Sequence, residues 1–379
     1  MRKVLQYQGP AKLRAAERRF ARSIRASIGR LNKKGGRSEK RKHAEKPHIV
    51  DAPTKMDLYS PKNHRAFVLF LKRIRQCVST TSRTVINLKN CSRITAGAGL
   101  LFYAEIDRLV KAYPHNSIRC INPENLRSGP GRSDNSNFVE GALNQIGFYR
   151  LIGQQNNTKS SVRSVKRWHQ LSGDSADGSL ASSLLQTLSK EVPPQILKRL
   201  YRGAIEAIAN CVEHAYPSPR QDGLGIPDPR WWMLVGIDDE NLTIIVCDLG
   251  VGIPSTLPTK HSDSFLSNLK IKLGITGSSD SEMIRASTHI KETRTQLTHR
   301  GKGGKDFRSM PELFTSSFLA IRSNKGSFFI TGKDHPPFRA VSSRKYIPGT
   351  NNSESTIEHD ESICGTLVEW AIQVKDLQK

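Results

Sequence analysis

Along this chain the hydrophobic positions repeat every second residue in some stretches and every third or fourth in others. Thr84-Val85-Ile86-Asn87-Leu88 reads as a strand. A turn of small residues, Ser92-Arg93-Ile94-Thr95-Ala96-Gly97-Ala98-Gly99, follows it, and Leu100 to Ala112 has the spacing of an amphipathic helix. Ser117 to Ile121 predicts another strand, and Asn137 to Leu151 another helix. Strand, turn, helix, strand, helix is the alternation of an α/β fold. Further on, Lys166-Arg167-Trp168-His169-Gln170 alternates like a strand, and Ile205, Ile208 and Val212 mark an apolar helical stripe suited to anchor a helix on a sheet. The apolar run Asn241 to Cys247 predicts a strand that delivers Asp248 to its end.

Composition narrows the class of protein. At 379 residues with 36% hydrophobic content, the chain can hold two domains and a tail. No apolar run approaches the ~18 residues needed to cross a bilayer, and the N-terminus lacks the apolar stretch of a signal peptide. The six cysteines (77, 91, 120, 211, 247 and 364) form no Cys-x-x-Cys pair, and several fall inside apolar runs. Buried thiols in a reducing compartment, with neither disulfides nor zinc, are expected, and the location expected is cytoplasmic.

The net charge of +25 is unevenly spread. Residues 1–46 hold 16 Lys and Arg against Glu17, Glu39 and Glu45, about half the excess in an eighth of the chain. Ala11 to Ile28 has helical residues, and Asn32 to Pro47 is rich in Gly, Lys and Arg. A basic arm over residues 1–50, partly helical or disordered, attracts polyanions, and nucleic acid is the expected one. A solubilising tail or a dock for an acidic protein is the plainer reading, since no DNA-reading motif is present.

Three separated groups of residues carry the chemistry. Glu206, Asn210 and Glu213, at i, i+4 and i+7, share one helix face. Asp248-Leu249-Gly250-Val251-Gly252-Ile253-Pro254 places a carboxylate at a strand end, followed by glycines that let the backbone turn tightly. Arg300-Gly301-Lys302-Gly303-Gly304-Lys305-Asp306 offers free amides and positive charge suited to phosphates. No Gly-x-x-x-x-Gly-Lys-Ser/Thr frame is present, which excludes a phosphate-loop ATPase. Taken singly, these are a solvated helix face, a glycine turn and a basic loop.

Their order resembles the nucleotide-binding signature of the GHKL superfamily, the ATPases of DNA gyrase B, Hsp90-type chaperones, sensor histidine kinases and MutL-like repair proteins. The resemblance runs from about Trp168 to the C-terminus. It implies a GHKL-type ATP-binding domain over residues 165–379, an α/β sandwich with helices on one face of a mixed sheet. It further implies ATP and Mg²⁺ as ligands, Glu206 as general base and Asn210 as metal ligand. Asp248 would accept a hydrogen bond from the adenine amino group. Glu213, Gly250, Gly252, Ile253, Arg300, Gly301, Lys302, Gly303 and Gly304 would line the nucleotide. Thr366, in Gly365-Thr366-Leu367-Val368-Glu369-Trp370, would touch phosphate or the catalytic water. A lid would span Pro254 to His299, with a helical piece near Ser281–Ile290.

Residues 65–153 resemble the STAS domain of anti-sigma-factor antagonists. Phosphoswitch members carry Asp-Ser-Ser/Thr-Gly at the start of the helix, whereas this chain has Ile94-Thr95-Ala96-Gly97. The acceptor position is Ala96, with Thr95 the neighbouring hydroxyl, so an interaction module is expected in place of a phosphorylation switch. The combined expectation is a cytoplasmic Mg-ATP-binding protein that hydrolyses ATP slowly. ATP would gate conformation, a protein partner reached through the STAS-like domain, or an ATP-dependent homodimer. A serine/threonine kinase of the anti-sigma type and a module that binds ATP without turnover are the alternatives.

Overall fold

In the computed structural model the chain divides into two compact units, Met1–Lys46 and Pro47–Lys379. The structure describes residues 46–123, 138–156, 167–220, 222–224, 229–238, 240–290, 307–308, 311–335, 345–346 and 353–377. Residues 1–45 of the basic arm and residues 291–306, which include the Arg300–Asp306 cluster, lie outside them, whereas the expected arm's last residues enter strand His48–Asp51. The described part of the second unit is mixed α/β.

Its N-terminal layer contains strands β1 (His48–Asp51), β2 (Lys55–Met56), β3 (Arg83–Asn87), β4 (Arg93–Ile94) and β5 (Ser117–Ile121). Strands β1, β3 and β5 pair in parallel in that order, and β2 pairs with β4. Alternate residues of β3 and β5 (Thr84 and Ile86, Ile118 and Cys120) point inward, as a pleated strand with one covered face requires. Ser60 and Pro61 open the helix Pro61–Thr80, because proline at the first helical position gives up an N–H that would have no partner. Its buried side, Phe67, Phe70, Leu71, Ile74 and Val78, follows the helical period.

The helix Ala96–Ala112 starts four residues before the expected Leu100 and is buried nearly all round. The segment expected as one helix over 137–151 is two, Phe138–Gln145 and Phe148–Leu151, parted by Gly147 at φ 80°.

Eight strands make the large sheet: β6 (Arg167–Gly173), β7 (Trp231–Ile237), β8 (Asn241–Asp248), β9 (Phe318–Ser323), β10 (Gly326–Thr331), β11 (Lys345–Tyr346), β12 (Ser353–Glu358) and β13 (Thr366–Gln373). Their order is β11-β12-β10-β9-β13-β8-β7-β6. Every pairing among these described strands is antiparallel, which corrects the expected mixed sheet. The reason is local: β7 meets β8, and β9 meets β10, across loops too short for the crossover that a parallel pair needs.

All of β7, β9 and β10 is buried, because both sheet faces are covered. Trp231, Met233, Val235, Ile244 and Val246 face a core shared with the helices Gly178–Gln186, Pro194–His214 and Asp280–Ser287. The intervening Trp232, Leu234, Ile245 and Cys247 face the other way, into one cluster with the Pro61–Thr80 and Ala96–Ala112 helices. The two segments read from sequence as successive α/β domains therefore share a hydrophobic core.

Candidate functional site

Pro193 and Pro194 start the helix Pro194–His214, and its buried face is built largely from small residues. Gly203, Ala204, Ala207, Ile208 and Cys211 lie against the sheet, with Leu200 beside them. Ile205 and Val212, expected in the anchoring stripe, are only half-buried. Small side chains bring the helix close to β7 and β8. Glu206 and Asn210 are half-buried, and Glu213 is exposed. They share the flank away from Ile205 and Val212, as their spacing predicts.

The Asp248 turn is fastened to this helix and to two other parts of the chain. Gly250 N–H and Thr366 N–H both donate to Asp248 Oδ1, at 2.9 and 3.2 Å. Asp248 Oδ2 faces Cys211 Sγ at 3.6 Å, a weak donor. Val251 N–H donates to the carbonyl of Ala215, one residue past the helix. Gly250 packs so closely on that carbonyl that a Cβ would collide with it. Tyr216 Oη accepts from Leu249 N–H at 3.0 Å and donates to the Arg230 carbonyl.

Beyond the turn, Gly252 has φ 86°, which suits glycine, and Ile253 N–H donates to Ser323 Oγ at 2.9 Å. Asn324 Nδ2 donates to the Val251 carbonyl at 2.9 Å, and the Ser323 and Thr366 hydroxyls lie 3.0 Å apart. Thr366 sits opposite Asp248 in the β13–β8 register.

The structure thus gathers Asn210 and its helix, Asp248, Gly250, Gly252, Ile253 and Thr366 at one end of β8 and β13. The predicted Arg300, Gly301, Lys302, Gly303 and Gly304 lie outside the described residues. Cys211, Ala215, Tyr216, Ser323 and Asn324 complete the constellation and were not singled out from the sequence. The small residue at 211, one position after Asn210, was the available signal for Cys211. Ser323 and Asn324 belong to a β-hairpin turn with no local mark of its role.

Burial pushes the Asp248 carboxyl up to about 6, although the Gly250, Cys211 and Thr366 donors favour its charged form. The Cys211 and Cys247 thiols are raised by the same burial. All six cysteines are free thiols. At the far end of the Asn210 helix, burial lowers Lys260 to about 8 against the pull of Glu213. Burial, then Lys260, hold His214 below its ordinary value.

Among its described residues, the expected lid segment carries three helices: Ile253–Lys260, Asp263–Leu273 and Asp280–Ser287. The last falls where a helical piece was expected, and a capping box of Ser279 and Glu282 starts it. Leu257, Leu266, Ile275, Met283 and Ala286 give these helices a small core of their own.

Asp248 Oδ1 accepts from two backbone amides and Oδ2 faces a thiol, and the Thr366 side chain also favours the charged carboxylate. Among the described residues no group of three or more His, Cys, Asp and Glu gathers as a metal site. No protein-family model matches the chain, and no curated protein matches it significantly.

Proposed function

We propose that this chain is a Mg-ATP-binding protein of the GHKL type that hydrolyses ATP slowly and uses it to gate conformation or partner contact. The observation that carries the reading is the meeting of Asp248, the Asn210 helix and Thr366, which are far apart in sequence, around one turn. In this reading Asp248 Oδ2 accepts the adenine amino group, Asn210 helps to hold Mg²⁺, and Glu206 takes a proton from the water that attacks the γ-phosphate. The products are ADP and inorganic phosphate. The GHKL-type sandwich, the STAS-like character of the β1-β3-β5 layer, a cytoplasmic location and nucleic-acid binding by residues 1–46 belong to the same proposal.

Thr95 bears on the kinase alternative. It is the N-cap of the Ala96–Ala112 helix, and its Oγ1 is buried with no hydrogen-bond partner. A hydroxyl so enclosed is a poor phosphate acceptor, which favours transfer to water. With γ-labelled ATP, the label should leave as free phosphate and stay off the protein. Glu206→Ala should cut that release by at least ~100-fold while ATP affinity stays within a few-fold, since a base acts chiefly in the transition state. Release by Glu206→Ala at the wild-type rate would remove Glu206 from the chemistry.

A further inference from the structure

Arg220 lies six residues past the Asn210 helix, and its side chain is 2% exposed. Every nitrogen of its guanidinium is engaged. Nη2 donates to both oxygens of Glu105 at 2.7 and 2.8 Å, and Nε donates to Asp222 Oδ2 at 2.7 Å. Nη1 donates to the Cys364 carbonyl at 2.6 Å. Glu105 and Arg108 stand on the Ala96–Ala112 helix; Arg108 pairs with Asp222, and Arg75 of the Pro61–Thr80 helix pairs with Glu105 at 2.7 Å. Three arginines and two carboxylates thus form a buried network, and its members outside the Arg220 loop all come from the N-terminal layer.

The Cys364 bond connects that network to the nucleotide turn. Cys364 holds φ 54°, a left-handed conformation that a residue with a side chain adopts at a cost, so something must hold it there. The next residue, Gly365 at φ 144°, packs so tightly on the Asp248 carbonyl that a Cβ would overlap it. The residue after that is Thr366, whose N–H donates to Asp248 Oδ1. Asn324 N–H and Ser323 Oγ, which brace the far side of the turn, both donate to the Gly365 carbonyl.

The geometry points to Arg220 as a positioning residue that couples the adenine-reading carboxylate, Asp248, to the N-terminal α/β layer, so that this layer regulates nucleotide affinity. The inference rests on the nucleotide reading above. Whatever shifts the Ala96–Ala112 helix moves Glu105, and with it Arg220, Cys364 and the Thr366 amide. By linkage, nucleotide at Asp248 stabilises the helix in return. Lysine keeps the charge of Arg220 but cannot make the same planar fork to Glu105, Asp222 and Cys364 at once.

The test uses the full chain. Mg-ATP and Mg-GTP affinities are measured by calorimetry for wild type and Arg220→Lys, and hydrogen exchange of residues 96–112 is followed with and without Mg-ATP. Arg220→Lys should weaken ATP at least tenfold and GTP less than threefold, because base reading suffers and phosphate contacts do not. Mg-ATP should slow exchange in 96–112 in wild type, an observation that needs no variant to fold, and should leave Arg220→Lys unchanged. A folded Arg220→Lys with the wild-type ATP-to-GTP preference would overturn the coupling. So would a wild type that binds ATP with no change in 96–112. A wild type that binds no ATP would instead defeat the nucleotide reading, and this inference with it.

Discussion

Asp248 is only 4% exposed, and the Cys211 thiol lies 3.6 Å from its Oδ2. Its carboxyl is held at about 6, above the ordinary 3.8, so ionisation opposes folding. The stability tied to its protonated form is complete below about 4 and lost as pH rises through about 6. Asp248→Asn should therefore stabilise the nucleotide-free protein at pH 7.5 by on the order of 1–3 kcal/mol. Denaturant titration should show that gain shrinking towards pH 5; a variant less stable than wild type at pH 7.5 would mean that the charge is structurally required. The position of Asp248 was legible because an apolar run ended at it. Ser323 and Asn324, which bond to Ile253 and Val251 in the turn after it, were not, since they come from a hairpin turn some 70 residues on.

Helices show what hydrophobic spacing can and cannot reveal. The shared flank of Glu206, Asn210 and Glu213 follows from the 3.6-residue period alone. Which apolar residues meet the sheet follows only in part: of the expected stripe, Ile208 meets it. Bulky Ile205 and Val212 stand out in the sequence, yet Ala204, Ala207 and Cys211 make the close contact. The N-terminal start of the Ala96–Ala112 helix was hidden for a related reason. Glycine disfavours helices, but Gly97 lies near Leu367 and Glu369, and Gly99 near Trp168, where the helix must approach the sheet. Close approach predicts that added bulk is harmful. Ala207→Leu should cost ~1–3 kcal/mol by overpacking, read from chemical denaturation. A cost no larger than that of Ile205→Ala would show that the helix stands off the sheet.

For the whole molecule, the sequence indicated an α/β protein and the residue types at the β8 end, but not the antiparallel order of the sheet. Thr366 pairs with Asp248 across 118 residues, and no local pattern encodes such a pairing. Trp231 to Ile237 is apolar almost without break, the pattern of a strand covered on both faces, and all of it is buried. No described helix is long and apolar enough to cross a membrane. Residues 1–45 of the arm lie outside the described residues, and the arm's role is tested by removal. Deleting residues 1–46 should leave a folded, ATP-binding protein, because so polar a segment contributes little core. The full chain should bind duplex nucleic acid with affinity that falls steeply between 50 and 200 mM salt, and the truncation should abolish that binding. Equal binding by both forms would assign the arm another role.

Calorimetric titration of Mg-ATP and Mg-GTP into wild type and Asp248→Asn tests whether Asp248 reads an adenine nucleotide. Wild type should bind ATP in the micromolar to millimolar range and prefer it to GTP. Asp248→Asn should bind ATP at least tenfold more weakly, about 1.4 kcal/mol, while remaining folded. Unchanged ATP affinity in Asp248→Asn would show that Asp248 does not read the base.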